Sequence, residues 1–204
     1  MKRILILSIG LILFSFYGTA QIIKDIDEIT PFHEELAAIR KGNKWAFINT
    51  KGEIIIPYRE DIVASKGSES YPYFSNERCL IKQIKNDIYY YGYIDKSGKT
   101  VIEPEYLNAI PFNDGYAIVL KIAKEELGKN DLLDKKVISY SYDEVVINPN
   151  GTIITHLSGP EHLIFSKDKL KKRPGIQSYL ISSNLVALNN NSRWEIHVVN
   201  TTKE

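Results

Sequence analysis

KWAFINTKGEIIIPY, from Lys44 to Tyr58, is read again as YGYIDKSGKTVIEPEY from Tyr91 to Tyr106 and, in worn form, as EVVINPNGTIITHL from Glu144 to Leu157. Each copy carries Asn or Asp followed three places later by Gly: Asn49 and Gly52, Asp95 and Gly98, Asn148 and Gly151. Self-similarity at a near-constant period marks a repeat array. Gly52 to Gly98 spans 46 residues and Gly98 to Gly151 spans 53, a drift expected when insertions fall in loops.

The first copy shows how one unit is built. Leu36 to Lys41 reads as a strand, Gly42 and Asn43 as a tight turn, and Trp45 to Ile48 as a returning strand of aromatic and branched residues. At Asn49-Thr50-Lys51-Gly52 the Asn side chain can bond the backbone two residues on, and Gly accepts the positive φ that closes the turn. Glu53 to Ile56 is a third strand, ended by Pro57, which cannot donate to a ladder. The unit is therefore an antiparallel meander, and these turn residues are punctuation between its second and third strands.

An aromatic heads each unit ahead of a strand with a small residue near its middle. Phe32 precedes Ala37, Phe74 precedes Cys79, and Phe112 precedes Ala117. Cys79 shares the slot of two alanines, so it reads as a packing residue, since Cys behaves as a small hydrophobe.

Together, the aromatic-small pair, the Tyr/Phe-Ile-Asp/Asn-x-x-Gly turn, the β-rich run ending in Pro and the Phe-x-x-Gly-x-Ala-x-Val head resemble the WG repeat family. The likeness is good over residues 32–119, weak to 157 and partial from Leu185 to Glu204. Ala46 stands where the family has Gly, and Tyr91 where it has Trp. The resemblance implies architecture alone: an all-β array of antiparallel meanders stacked as an open solenoid, with a small propeller as the alternative. LVALNNNSRWEIHVVN, from Leu185, repeats the opening hairpin with Trp194 in the place of Trp45 and then stops, as a capping half-unit would.

The ends and composition bound the rest. Lys2 and Arg3, an apolar run to about Tyr17 and small residues at Gly18 and Ala20 form the pattern of a signal peptide over residues 1–20. The run is short for a membrane anchor. Residues 21–31 then read as a linker and 32–204 as the repeat domain, exported to the periplasm or the extracellular space. Loss of Lys2 and Arg3 changes the net charge from +1 to −1, which argues against nucleic acid held by bulk charge. One cysteine excludes an internal disulfide.

No catalytic, cofactor or metal motif stands out. His33, His156, His162 and His197 lack short ligand spacing. Tyr89 with Tyr91, and Tyr140 with Tyr142, alternate within apparent strands and could build an aromatic binding stripe, against which stands the ordinary preference of aromatics for sheets. The segment around Glu125, Glu126 and Leu127 suggests a short helix or a long hairpin loop, and the basic run 167–173 a solvated loop or an anion patch. The leading reading is a non-enzymatic module that binds a protein or a cell-envelope polymer. The alternative is an extracellular polymer hydrolase with carboxylates converging from different repeats.

Overall fold

A computed structural model describes residues 23–64, 70–130, 135–164, 174–190 and 192–199. Residues 1–20, read above as a signal peptide, and the basic run 167–173 lie outside the described residues.

The described chain is all β, in four antiparallel sheets that follow one another along the sequence. The first holds β1 (Glu28–His33), β2 (Leu36–Lys41), β3 (Lys44–Asn49) and β4 (Ile54–Arg59) in sequential order. The second holds β5 (Cys79–Lys85), β6 (Ile88–Ile94) and β7 (Thr100–Tyr106). The third is ordered β11-β10-β9-β8, from β8 (Asn108–Ala109), β9 (Ala117–Asn130), β10 (Lys135–Ile147) and β11 (Ile153–His156), with β12 (Glu161–Leu163) also on β10. The last is β13 (Ser178–Ser182), β14 (Leu185–Asn190) and β15 (Arg193–Val198).

The repeated turns are superimposable in their bonding. Asn49 Oδ1 accepts the N–H groups of Lys51 and Glu53, Asp95 Oδ1 those of Ser97 and Lys99, and Asn148 Oδ1 those of Asn150 and Thr152, all within 2.9–3.1 Å. In each, the glycine N–H returns to the Asn or Asp carbonyl. The three glycines have φ of 77°, 82° and 80°, in the left-handed region that the turn demands.

Apolar layers form between consecutive sheets. Phe47, Trp45 and Ile56 of the first sheet meet Phe74, Cys79, Ile81 and Ile94 of the second unit. Tyr91, Tyr93 and Ile102 meet Phe112, Ala117, Val119 and Ile147 one step on. Ile118 and Val146 meet Val186 and Val199 at the last step. Each head aromatic thus seats on the preceding unit: Phe74 on Phe47 at 4.8 Å between ring centroids, and Phe112 on Tyr93 at 4.7 Å. Burying such a ring contributes about 1.5–3 kcal/mol from area alone. Phe32 has no preceding unit among the described residues and is half exposed. No core cluster of the described residues joins the first sheet to the last, so the array is open and none of its sheets closes into a barrel.

The head turns form a second ladder. Glu34-Glu35, Asn76-Glu77 and Asp114-Gly115 all have positive φ at both residues, the pattern of a type I′ hairpin turn. Glu34 accepts the N–H of Glu77, and Asn76 accepts the N–H of Gly115, both at 3.0 Å. At these two steps a polar side chain of one head turn is fastened to the backbone of the next.

The structure corrects two expectations. Residues 28–31, read as the end of a linker, belong to strand β1, anchored by the Thr30 hydroxyl accepting the Ala38 N–H at 2.9 Å. Pro31 and a register shift between Ile29 and Phe32 break the alternation that announces a strand. The segment around Glu125 to Leu127 is neither helix nor loop. It belongs to β9, where Glu125 pairs Ser139 and Glu126 pairs Ile138 while Leu127 is a bulge, in one long hairpin arm whose side chains there are exposed.

Gly92 shows why the small member of the aromatic-small pair differs between units. Opposite it, β7 bulges by three residues, Glu103 to Glu105, because Tyr91 pairs Tyr106 while Tyr93 pairs Ile102. A Cβ there would sit 2.4 Å from the Ile102 carbonyl oxygen. Opposite Ala46 the bulge is only Pro57 and Tyr58, and a methyl group is accommodated.

Candidate functional site

Counting back four residues from the Asn or Asp of each turn gives Trp45, Tyr91 and Glu144. The third unit therefore places a carboxylate where the others place a large ring. Glu144 is nevertheless buried, 3% exposed. A buried charge needs full compensation. Its Oε1 accepts the Gln177 N–H and its Oε2 the Ser178 hydroxyl, while its own N–H donates to Ser158 Oγ at 3.1 Å. The carboxylate thus fastens the start of β13 to β10.

Where the ring is lost, a cavity of about 580 Å³ opens between the third and fourth sheets. Its polar lining comes from β10 (Tyr142, Glu144), β12 (Glu161), the end of β14 (Asn189, Asn190) and β15 (Glu195, His197). Tyr142 donates its hydroxyl to Glu161 Oε2 at 2.6 Å. Burial first, then that bond, pushes the phenol up to about 12. Glu195 accepts Asn190 Nδ2 at 3.1 Å and stands 3.4 Å from His197 Nε2. Acceptor-rich carboxylates and amides beside one phenol suit a ligand that brings hydroxyl or ammonium donors.

The four tyrosines do not form one exposed stripe. Tyr91 is 4% exposed in the layer between the second and third units. Tyr140 and Tyr142 are half-buried against Ile88, Leu107, Leu120 and Leu163. Tyr89 alone is well exposed, with Lys82 Nζ 5.4 Å from its ring centroid. Alternation correctly places Tyr89 and Tyr91 on one face, but the next layer covers that face at Tyr91 and ends before Tyr89. Only Tyr142 reaches the cavity.

Asn49, Gly52, Asp95, Gly98, Asn148 and Gly151 hold turns, and the Oδ1 atoms of the Asn and Asp residues are engaged by backbone N–H groups of the same turn. Cys79 is buried beside Phe47 and Phe74, and burial pushes its thiol far above the usual range. Among the described residues no group of three His, Cys, Asp or Glu is placed to hold a metal ion. The cavity residues Glu144, Glu161, Glu195 and His197 escape a reading of motifs. One signal was available: a glutamate standing in the slot of a buried aromatic.

The family model for the WG containing repeat matches residues 22–45, 45–59 and 91–121. The last segment runs from β6 into β9, so the sequence repeat encloses the contact of Tyr93 with Phe112 between two layers. The matched residues stop before the cavity, whose lining lies between Tyr142 and His197. No curated protein and no solved structure matches the chain. Three segments of the chain, carried on stacked meanders of one design, thus match the WG containing repeat.

Proposed function

We propose that the chain is an exported, non-enzymatic interaction module whose cavity between the third and fourth sheets holds part of a protein or cell-envelope polymer. The observation that carries this reading is the polar cavity at the one step where the repeat gives up its large ring. The N-terminal pattern of residues 1–20 supports export. Cavity carboxylates already bonded to protein donors support binding over chemistry, because their lone pairs are partly committed.

Thermal-shift and titration measurements with amino sugars, neutral glycans and lysine-bearing peptides test the reading. A ligand that raises the melting temperature of the wild-type chain, and not of the Asn189→Ala, Glu195→Ala variant, is the expected result. No shift with any class, or an equal shift in both proteins, removes the cavity as the site. Cell fractionation tests export.

A hydrolase remains the second reading because Glu144, Glu161 and Glu195 line one cavity. It predicts turnover of a polymer substrate that disappears in both Glu161→Gln and Glu195→Gln. Turnover that survives either change rejects that assignment.

A further inference from the structure

In the first sheet β3 pairs with β2 on one side and β4 on the other, and in the second β6 is flanked in the same way by β5 and β7. The hairpin β14–β15 reproduces β2–β3 with identical register: Leu36 pairs Asn49 as Leu185 pairs Val198, and Arg40 pairs Trp45 as Asn189 pairs Trp194. Among the described residues β15 pairs only with β14, so the position held by β4 and β7 elsewhere has no strand.

The direction of the free edge can be read from two bonds. Val199 donates its N–H to Asn184 at 2.8 Å, toward β14. By strand alternation the main-chain groups of Val198, Ile196 and Trp194 face the other way. Asn49, the register equivalent of Val198, confirms this by donating its N–H to Glu53 at 3.0 Å, across to the third-strand side. The side chains alternate as well. Glu195 and His197 line the cavity, whereas Trp194, Ile196 and Val198 are 57%, 68% and 58% exposed. Phe47, which Ile196 matches in register, is fully buried. Tyr179 extends the exposed apolar face, edge-on to Trp194 at 5.3 Å.

We propose that β15 is an acceptor edge for an extended segment of a partner polypeptide, which adds antiparallel to it as the missing third strand. Continuity with the two complete units defines the occupant's chemistry. In the first sheet Phe47 pairs Ile56 and Ile48 pairs Ile54. The incoming strand therefore carries isoleucine or a similar branched residue at alternate positions, one of them opposite Ile196. Main-chain bonds supply affinity and the apolar face of Trp194 and Ile196 supplies selectivity, the usual division in strand addition. This surface is separate from the cavity, which lies on the other face of β15.

The test uses the purified chain and a fluorescein-labelled peptide of its own third-strand sequence, residues 52–59, with a scrambled peptide as control. Fluorescence polarisation should show saturable binding of the native sequence alone. Ile196→Asp should weaken it by about tenfold or more, since a charge would then face the apolar strand. Val198→Pro removes an edge N–H, a change that an edge strand tolerates in its own fold, and should abolish binding with the circular dichroism spectrum unchanged. Failure of the native peptide to bind, or undiminished binding by both folded variants, overturns the proposal. So does sedimentation showing a dimer of the chain that Val198→Pro disperses, because the occupant would then be a second copy.

Discussion

Arg59, at the end of the first unit's third strand, donates from Nη1 to the carbonyl oxygen of Gly98, the turn glycine of the second unit, at 2.7 Å. The same guanidinium holds Asp61 through two bonds of 2.6 Å. Arg78 does similar work one step on, donating to the carbonyl of Pro149 at 2.8 Å. The steps of the array are therefore fastened by charge-assisted bonds to turn carbonyls as well as by apolar layers.

Arg59→Ala should lower unfolding free energy by about 1–2 kcal/mol, the scale of a hydrogen bond to a charged group reduced for partial solvent access. Urea denaturation measures it. A double-mutant cycle with Asp61→Ala separates the local pair from the bond to Gly98; full coupling between the two changes would mean that the bond to Gly98 contributes nothing.

Glycine substitutions should rank by what a new Cβ meets. Gly92→Ala drives a methyl group into backbone and should cost at least about 2 kcal/mol. Gly52→Ala and Gly98→Ala share an unfavourable φ of 77° and 82°, but only at Gly98 would the Cβ press on Ile56, at 3.2 Å. Gly98→Ala should therefore cost more than Gly52→Ala by about 1 kcal/mol. Equal costs would show that the turn of one unit does not bear on the sheet before it.

Cys79 should resist thiol reagents in the native chain and react once urea unfolds it, because burial disfavours the thiolate that reacts. Cys79→Ala should cost about 1 kcal/mol, since Ala37 and Ala117 fill the same slot in neighbouring units. Rapid labelling under native conditions would contradict the packing between Phe47 and Phe74.

Tyr142 gives a pH signature. Its folded phenol titrates near 12 against an ordinary value of 10, so the folded chain holds that proton more tightly. The associated stability is fully present below about pH 10 and is lost as pH rises toward 12. Tyr142→Phe should remove that part of the alkaline decline in melting temperature. An identical decline in both proteins would assign it to other groups.

Much of the array is legible in the sequence because its rules are local. An Asn or Asp three residues before Gly specifies the same turn in all three copies, and the side chain that satisfies it is in the same segment. The head aromatics are legible for a related reason: Phe74 and Phe112 precede the small residues that mark the covered strand. Layer coverage is not local. Nothing near Tyr89 or Tyr91 says that the next sheet buries one and stops short of the other. The cavity depends on contacts of Glu144 with Gln177 and Ser178, more than thirty residues on. Strand β1 was hidden by Pro31, and the long arm of β9 by glutamates equally at home in a helix.

The ladder of head turns has an evolutionary consequence. Its acceptor is Glu34 in one step and Asn76 in the next, and its donor is always a main-chain N–H, so the joint requires no co-adapted pair of side chains. A duplicated unit arrives with half of the joint already made, and a polar side chain that reaches the next turn, Glu or Asn, completes the other half. Such a joint lets an array lengthen or shorten by whole units without rebuilding the contact between them.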